Sequence, residues 1–333
     1  KLVQFERKKK GLSLSRLGMA SLSSGAVVDG TVRDHEEVMR AVDELIAAER
    51  AKVKEVVVSV SGSAAVVNTL LVPRMKGVPL DEAVDAEAAQ ILPFPLEEAR
   101  ITRRRLGKIT VDGQAMEEFL LVAVQREALE EMVEMLRHLK LEPKIVDVNL
   151  LAMENAHLHA GGKWEEGVTA LVDIGASSTL VHILREGRTL LTRMIHFGGA
   201  AVTKALAERL SVTQFEAEQI KLGAKPASSP RAAVEVIRGE VERVALEFGR
   251  TFQLLWDLRS EERVARIILS GGGAHLEGLP AFLSASLDLP IQMADPFKNV
   301  EIPENIFDPD FVEAIAPVAV ISAGLAYRGV DTA

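Results

Sequence analysis

Apolar residues in this chain fall into short runs separated by polar turns, and their spacing alternates between a strand period and a helix period. Residues 1–6 and 12–22 read as paired strands joined by a KKKG turn. Asp34 can cap a helix running through Glu37, Met39, Val42, Ile46 and Ala47, with Glu37 as the second half of a capping box. The continuous apolar run 56–60 predicts a strand buried on both faces. Strand, strand, helix, strand in that order predicts a mixed α/β sheet. The pattern changes after Ser61. Residues 65–72 read as a strand stopped at Pro73, and 80–91 as a helix ended by the ProPhePro at 93–95. Strands at 101–106 and 118–124 flank a turn at Asp112-Gly113, and the basic run Arg103, Arg104, Arg105 reads as a solvated strand face. An amphipathic helix at 127–139, a strand at 144–148 and a helix at 151–157 lead to a break at Ala160-Gly161-Gly162.

The second half opens on residues 168–199, read as a strand, a tight polar turn, a strand, a Glu186-Gly187 turn and a third strand. Helices follow at 203–210 and 213–222, the latter capped by Ser211 or Thr213, and then a Pro/Ser-rich loop at 225–230. Residues 235–259 form one long helix whose Ile237, Val241, Val244, Phe248, Phe252, Leu255 and Trp256 mark a buried face. A strand at 265–269 ends in Ser270-Gly271-Gly272-Gly273, placed before a mostly helical stretch at 276–287. Residues 295–311 read as loop, and 314–327 as a last helix whose Ala319, Ala323, Gly324 and Ala326 allow tight packing.

Composition narrows the picture. The 333 residues leave room for two domains. With 48% apolar residues but only 4% aromatic, the core must be built from Leu, Val, Ile and Ala. A net charge of −9 argues against general nucleic-acid binding. The absence of cysteine excludes disulfide and thiolate–metal chemistry. The most apolar stretch, 314–327, is too short and too rich in Ala and Gly for a membrane span, so no direct membrane insertion is expected. No signal-peptide pattern is present either.

Two turns carry candidate chemistry. Asp173 ends a buried strand, and Gly175, Ala176, Ser177, Ser178 and Thr179 after it are all small. Small residues let backbone approach a ligand, and such a turn can aim N–H groups and hydroxyls at one anion. Asp173 could then hold a divalent cation against a phosphate. Taken alone, the same residues also make a hairpin with a hydrophilic tip. Gly271, Gly272 and Gly273 are the second signal, a tight turn or a loop on which a nucleotide can lie near a helix start. No GxGxxG follows the first strand, so a dinucleotide fold is not supported.

Together with the strand order, the pair of turns resembles the actin-like ATPase superfamily, in which two related domains face each other across a nucleotide cleft. The resemblance implies an α/β actin-like fold. Residues 173–179 match its second phosphate loop, 270–273 its adenosine loop, 147–155 the first connecting helix and 314–329 the second. EAEQIKLG at 216–223 is similar to the helix whose Glu and Lys reach the ribose and base, here Glu218 and Lys221. Within the superfamily the chain resembles the PilM family of type IV pilus assembly proteins over nearly its whole length. ILPFPLEE at 91–98, 172–179, Phe197-Gly198-Gly199, 216–223 and the ending AGLAYRG at 323–329 carry that likeness.

The implied organisation is domain I at 1–60, an FtsA-like inserted subdomain at 61–125, domain I again at 126–162, domain II at 163–312 and a C-terminal helix at 313–333 returning to domain I. The implied cofactors are ATP and Mg²⁺, with Asp173 at the metal and Asn149 where relatives carry a Gln or Glu that positions water. Asn is shorter and cannot act as a base, so slow or absent hydrolysis is expected. Lys1 stands where the first phosphate loop has its lysine, and residues preceding it are expected in the natural protein. The resemblance further implies a cytoplasmic protein, peripheral at the inner membrane through its partners. Those are the N-terminal cytoplasmic peptide of PilN within the PilN/PilO complex, the pilus motor ATPases and a second copy of the chain. The rival readings are a superfamily small-molecule kinase with Asp147 as base, an FtsA-like division scaffold, and a scaffold that has lost nucleotide binding.

Overall fold

The computed structural model describes residues 1–9, 11–74, 77–111, 113–161, 164 and 166–332. Lys10 of the KKKG turn, Asp112 of the Asp112-Gly113 turn and Gly162 of the predicted break lie outside the described residues. The chain begins with a hairpin of β1 (Leu2–Lys8) and β2 (Gly11–Gly18), then a short hairpin of β3 (Val27–Val28) and β4 (Thr31–Val32), and helix α1 (His35–Ala48). Asp34 caps α1 by accepting from the Glu37 N–H. The reciprocal half of the predicted box is absent, because the Glu37 carboxylate instead accepts from the N–H and hydroxyl of Ser23.

Strand β5 (Glu55–Val60) corrects the expectation of burial on both faces. Only Val60 is fully buried, since β5 pairs on one edge alone, in parallel with β9 (Glu142–Val148). Between them, β6 (Ala65–Pro73), α2 (Leu80–Ile91), β7 (Ala99–Val111) and β8 (Gln114–Gln125) form a separate three-stranded sheet in the order β6-β8-β7. It has its own core, in which Leu70, Val72, Phe119 and Leu121 pack on Ala83, Val84 and Ala88 of α2. Its basic strand is internally paired. Arg103 meets Asp85 of α2 at 2.7 Å, and Arg105 and Arg74 share the buried Glu117. Helix α3 (Arg126–His138) leads back to β9, and α4 (Asn149–His159) follows.

The second half is built on β10 (Val168–Ile174), every residue of which is buried. With β11 (Thr179–Arg185), β12 (Arg188–Ile195), β13 (Val264–Ser270) and β14 (Ile291–Met293) it forms a five-stranded sheet in the order β12-β11-β10-β13-β14. Burial on both faces suits the apolar Val168, Ala170, Leu171, Val172 and Ile174 of β10. One face is covered by α5 (Gly199–Leu210), α7 (Pro230–Leu258) and α8 (Leu279–Leu287), with Val244, Phe248 and Leu255 of α7 in the largest core. Helix α6 (Gln214–Lys221) packs beside α5 and is capped by Thr213, not Ser211. A full capping box with Glu216 selects Thr213, while Ser211 adopts a left-handed conformation at the end of α5.

Residues 295–311, read as loop, include the short strand β15 (Val300–Glu301) against β2 and the start of α9 (Pro309–Ile315). A 3-10 turn joins α9 to α10 (Val320–Asp331). The combined segment Pro309–Asp331 is thus longer than the predicted 314–327, and by length and composition it is apolar enough to cross a membrane. Its apolar surface has partners within the fold. α10 lies on α4, β1 and β5, and Gly324 is so close to α4 that a Cβ there would sit 1.8 Å from the Ala152 carbonyl oxygen. Aromatic rings pack together here: Phe5 meets Tyr327 at 4.6 Å and Phe297 at 6.3 Å between ring centroids.

The inserted sheet also touches the second half. The Thr69 hydroxyl donates to the Thr189 carbonyl at 2.8 Å and the Thr192 hydroxyl to the Val67 carbonyl at 2.6 Å. Arg188 pairs with the buried carboxylate of Glu118 beside them.

Candidate functional site

β10 and β13 are parallel neighbours, with Asp173 in register with Ser270. Two turns far apart in the sequence therefore leave the same end of the sheet side by side. Asp173 is 9% exposed and accepts from the Ser270 hydroxyl at 2.9 Å. Burial pushes its carboxyl above the usual carboxylate range, opposed by Lys1 and by the Ser270 bond. Lys1 is correspondingly held below its ordinary value by desolvation, which Asp173 counteracts. The two predicted residues are thus near enough for each charge to act on the other.

The turn after β10 closes on itself, the Gly175 N–H donating to the Ser178 carbonyl at 2.9 Å. Its own carbonyls at Gly175 and Ala176 accept from the N–H groups of Gly199 and Ala200 at the start of α5. That contact depends on glycine, because a Cβ at Gly198 would lie 2.4 Å from the Ala176 oxygen. No acceptor among the described residues pairs with the N–H of Ala176, Ser177 or Ser178. These three consecutive donors stand beside the hydroxyls of Ser177 and Ser178.

The three glycines after β13 divide their tasks. Gly271 has φ +86°, and a Cβ on it would meet the Ile174 oxygen at 2.4 Å; one on Gly273 would meet the Ile174 side chain at 2.3 Å. Gly272 instead faces open space. Gly272–His275 form a 3-10 turn, and the helix expected from 276 begins at Leu279. The Gly271 N–H donates to Pro317, tying this loop to the segment before α10.

Glu218 and Lys221 share one face of α6 and pair with each other at 2.7 Å. Both also bond the Thr203 hydroxyl, and Lys221 reaches the Gly199 carbonyl at 3.2 Å, so they brace the start of α5 behind the turn. Asn149 is the first residue of α4, and its side-chain oxygen accepts from Ser59 at 2.5 Å. Asp147 is raised by burial, against the Val148 N–H and Arg328.

The sequence reading missed Asp29 and His196. The Asp29 N–H donates to the Ser177 hydroxyl oxygen at 2.8 Å, and the Asp29 carboxylate lies 3.1 Å from His196 Nδ1. The signal was present: Asp-Gly between Val27-Val28 and Thr31-Val32 is a strong short-range hairpin mark.

The sequence profile of the type IV pilus assembly protein PilM matches residues 1–330. Cell division protein FtsA of Streptococcus pneumoniae serotype 2 (strain D39 / NCTC 7466) is 29% identical over 186 residues, which are 51% of this chain and 40% of that protein. The match therefore spans less than half the length of that relative. A solved PilM-PilN type IV pilus biogenesis complex has a chain that superposes with a TM-score of 0.83 at 24% identity, covering 98% of this chain and 94% of its own. MreB5 of Spiroplasma citri bound to AMPPNP superposes at 0.52 with 13% identity, covering 99% of this chain and 89% of its own. These likenesses establish an actin-like ATPase fold, and the profile match along nearly every residue assigns the family: the chain belongs to the PilM family of type IV pilus assembly proteins.

Proposed function

We propose that the chain binds ATP with Mg²⁺ between its halves and acts as a cytoplasmic assembly platform of a type IV pilus machine. In this reading it recruits the inner-membrane PilN/PilO complex through the N-terminal peptide of PilN and links it to the motor ATPases. Residues 61–125 are the partner-binding module. The observation that carries the nucleotide reading is the row of unpaired N–H groups at Ala176, Ser177 and Ser178, beside the buried Asp173 and the open side of Gly272. Family membership and the likeness to the PilM-PilN complex support the partner.

The residues fit the cofactor. Among the described residues no cluster of three or more His, Asp or Glu could hold a metal by itself. Mg²⁺ ordinarily takes one or two carboxylates together with phosphate oxygens and waters, which suits a single Asp173. A buried carboxylate without a cation is unfavourable, and the raised Asp173 would be stabilised in its charged form by one. Lys1, the N–H groups of 176–178 and the Ser178 hydroxyl would hold phosphate, and Gly272 would leave room for the adenosine. Asn149 has its oxygen engaged by Ser59 and supplies no base, so hydrolysis is slow, well below the ~10 per second of a typical enzyme.

The test is equilibrium ATP binding to the full-length protein, wild type against Gly272→Val, with and without Mg²⁺. Wild type should bind and the variant should not; equal binding by both would refute the site. A folded variant lacking 61–125 should keep ATP binding and lose the PilN peptide.

A further inference from the structure

We propose that the inserted sheet is a brace: it grows out of the first half of the chain but is anchored on the second, and so holds the two halves at a fixed angle. The inference goes beyond the proposed function and requires no nucleotide. The sheet departs after β5 at Ser61-Gly62 and returns at Gln125-Arg126, by two single connections. Beside the return, the Arg126 side chain donates to the carbonyls of Glu97 and Ala99 at 3.4 and 3.1 Å. The sheet's other polar interface is with β12. β6 and β12 are each the edge strand of their own sheet. The Thr69 hydroxyl of β6 donates to the Thr189 carbonyl of β12, and the Thr192 hydroxyl of β12 donates to the Val67 carbonyl of β6. Each strand thus gives one hydroxyl and one carbonyl to the other, and the two bonds together fix how β6 lies along β12.

Two carboxylates on β8 reinforce the anchor. Glu117 and Glu118 are neighbours, each 1% exposed, and successive strand residues point to opposite faces. Glu117 is neutralised within the sheet by Arg74 and Arg105. Glu118 instead receives Arg188 from the start of β12, with Nε 2.9 Å from the carboxylate. A buried charge stripped of its partner is costly, so Glu118 ties the sheet to the second half. The Thr189 end of the contact is fixed in turn. Its hydroxyl lies 2.9 Å from His182 Nε2, and His182 Nδ1 lies 3.2 Å from the Leu150 carbonyl near the start of α4. Helix α4, the five-stranded sheet and the inserted sheet therefore meet around one residue. Rotating the halves about α4 must either part β6 from β12 or bend both connections. The bonds at Thr69, Thr192 and Glu118 oppose the first.

The chain has no cysteine, so introduced ones can be spin-labelled selectively. Labels at the exposed positions Glu44 of α1, Ala89 of α2 and Lys204 of α5 report on the first half, the inserted sheet and the second half. Pulsed dipolar distance measurements are made on the full chain without nucleotide. Thr69→Val with Thr192→Val removes both hydroxyl donors and keeps the side-chain shape. It should add a second, undocked component to the 89–204 distances and widen the 44–204 distances. The undocked population should rise about fivefold for one lost bond and roughly thirtyfold for both. Thr69→Ser with Thr192→Ser, which keeps the hydroxyls, should restore the single narrow distributions. Arg188→Gln should add the same undocked component as the valine pair. Unchanged 89–204 distances in the valine pair overturn the anchor. A second 89–204 component with an unchanged 44–204 distribution overturns the brace, because the sheet would then dock without holding the halves. Serine variants that stay undocked would show that the hydroxyls are not what anchors the sheet. If the valine pair does not fold, Arg188→Gln decides on the same distances, and unchanged distributions in it overturn the inference.

Discussion

His182 provides a sharp test of the packing between the halves. It is fully buried on β11, with Nδ1 3.2 Å from the Leu150 carbonyl of α4 and Nε2 2.9 Å from the Thr189 hydroxyl. A carbonyl can only accept, so Nδ1 carries the proton and Nε2 accepts from Thr189. Burial lowers the pKa from 6.5 to about 4, against the opposing Leu150 bond. The unfolded chain therefore takes up a proton below about pH 6.5 that the native chain refuses until about pH 4. Between those values the unfolded state binds more protons, so stability is lost as pH falls. The loss from about pH 7.5 to about pH 4.5 works out at about 2.5 kcal/mol. In His182→Gln this position cannot titrate. At neutral pH the variant should be less stable by about 1–2 kcal/mol, for imperfectly replaced hydrogen bonds. Near pH 4.5 the gap should close or reverse. Glu154 pulls the other way: burial, opposed by Arg104 and aided by Asp147, raises it to about 7, so its contribution falls as pH rises. It is common to both proteins and cancels in the difference. Urea unfolding across this range, with NMR titration of the histidine, gives the answer. A stability difference flat to within ~0.5 kcal/mol, or a His182 that titrates near 6.5, would refute the assigned tautomer and burial.

Three further outcomes follow from the glycines and the metal position. Gly324→Val places atoms where the Ala152 carbonyl already lies, and should lower the thermal midpoint by the equivalent of about 3 kcal/mol or more; an unchanged midpoint would disprove the close crossing of α4 and α10. Gly271→Ala should destabilise the protein through its positive φ and its contact with Ile174, while Gly272→Ala should leave the melting curve unchanged; equal melting curves would contradict the division of roles. Asp173→Ala should weaken ATP binding in Mg²⁺ more than in EDTA, read by titration calorimetry, and an equal loss in both would remove Asp173 from the metal.

Local pattern was enough wherever a residue's role depends on near neighbours. The helix at 80–91 was bounded by its apolar spacing and the following prolines, and α2 has those limits. The fully buried β10 followed from its mostly apolar run, and the Asp34 cap from one side chain three residues before the N–H it accepts from. The three glycines after β13 were visible as a tight turn, while Lys1, Asn149, Glu218 and Lys221 were singled out only through the family likeness. Only the tertiary structure decided which surfaces meet. The run 56–60 is as apolar as a doubly buried strand, yet β5 has one neighbouring strand and stays half-buried. Glu218 and Lys221 have the spacing of any exposed helical pair, and it is Thr203 and Gly199 from another helix that fix them behind the turn. Asp29 lies 148 positions from Ser177 and carries no local mark of that contact. Hydrogen-bond partners far apart in the sequence depend on how sheets and crossing helices stack, and that stacking follows from burying whole faces, which no short window of sequence encodes.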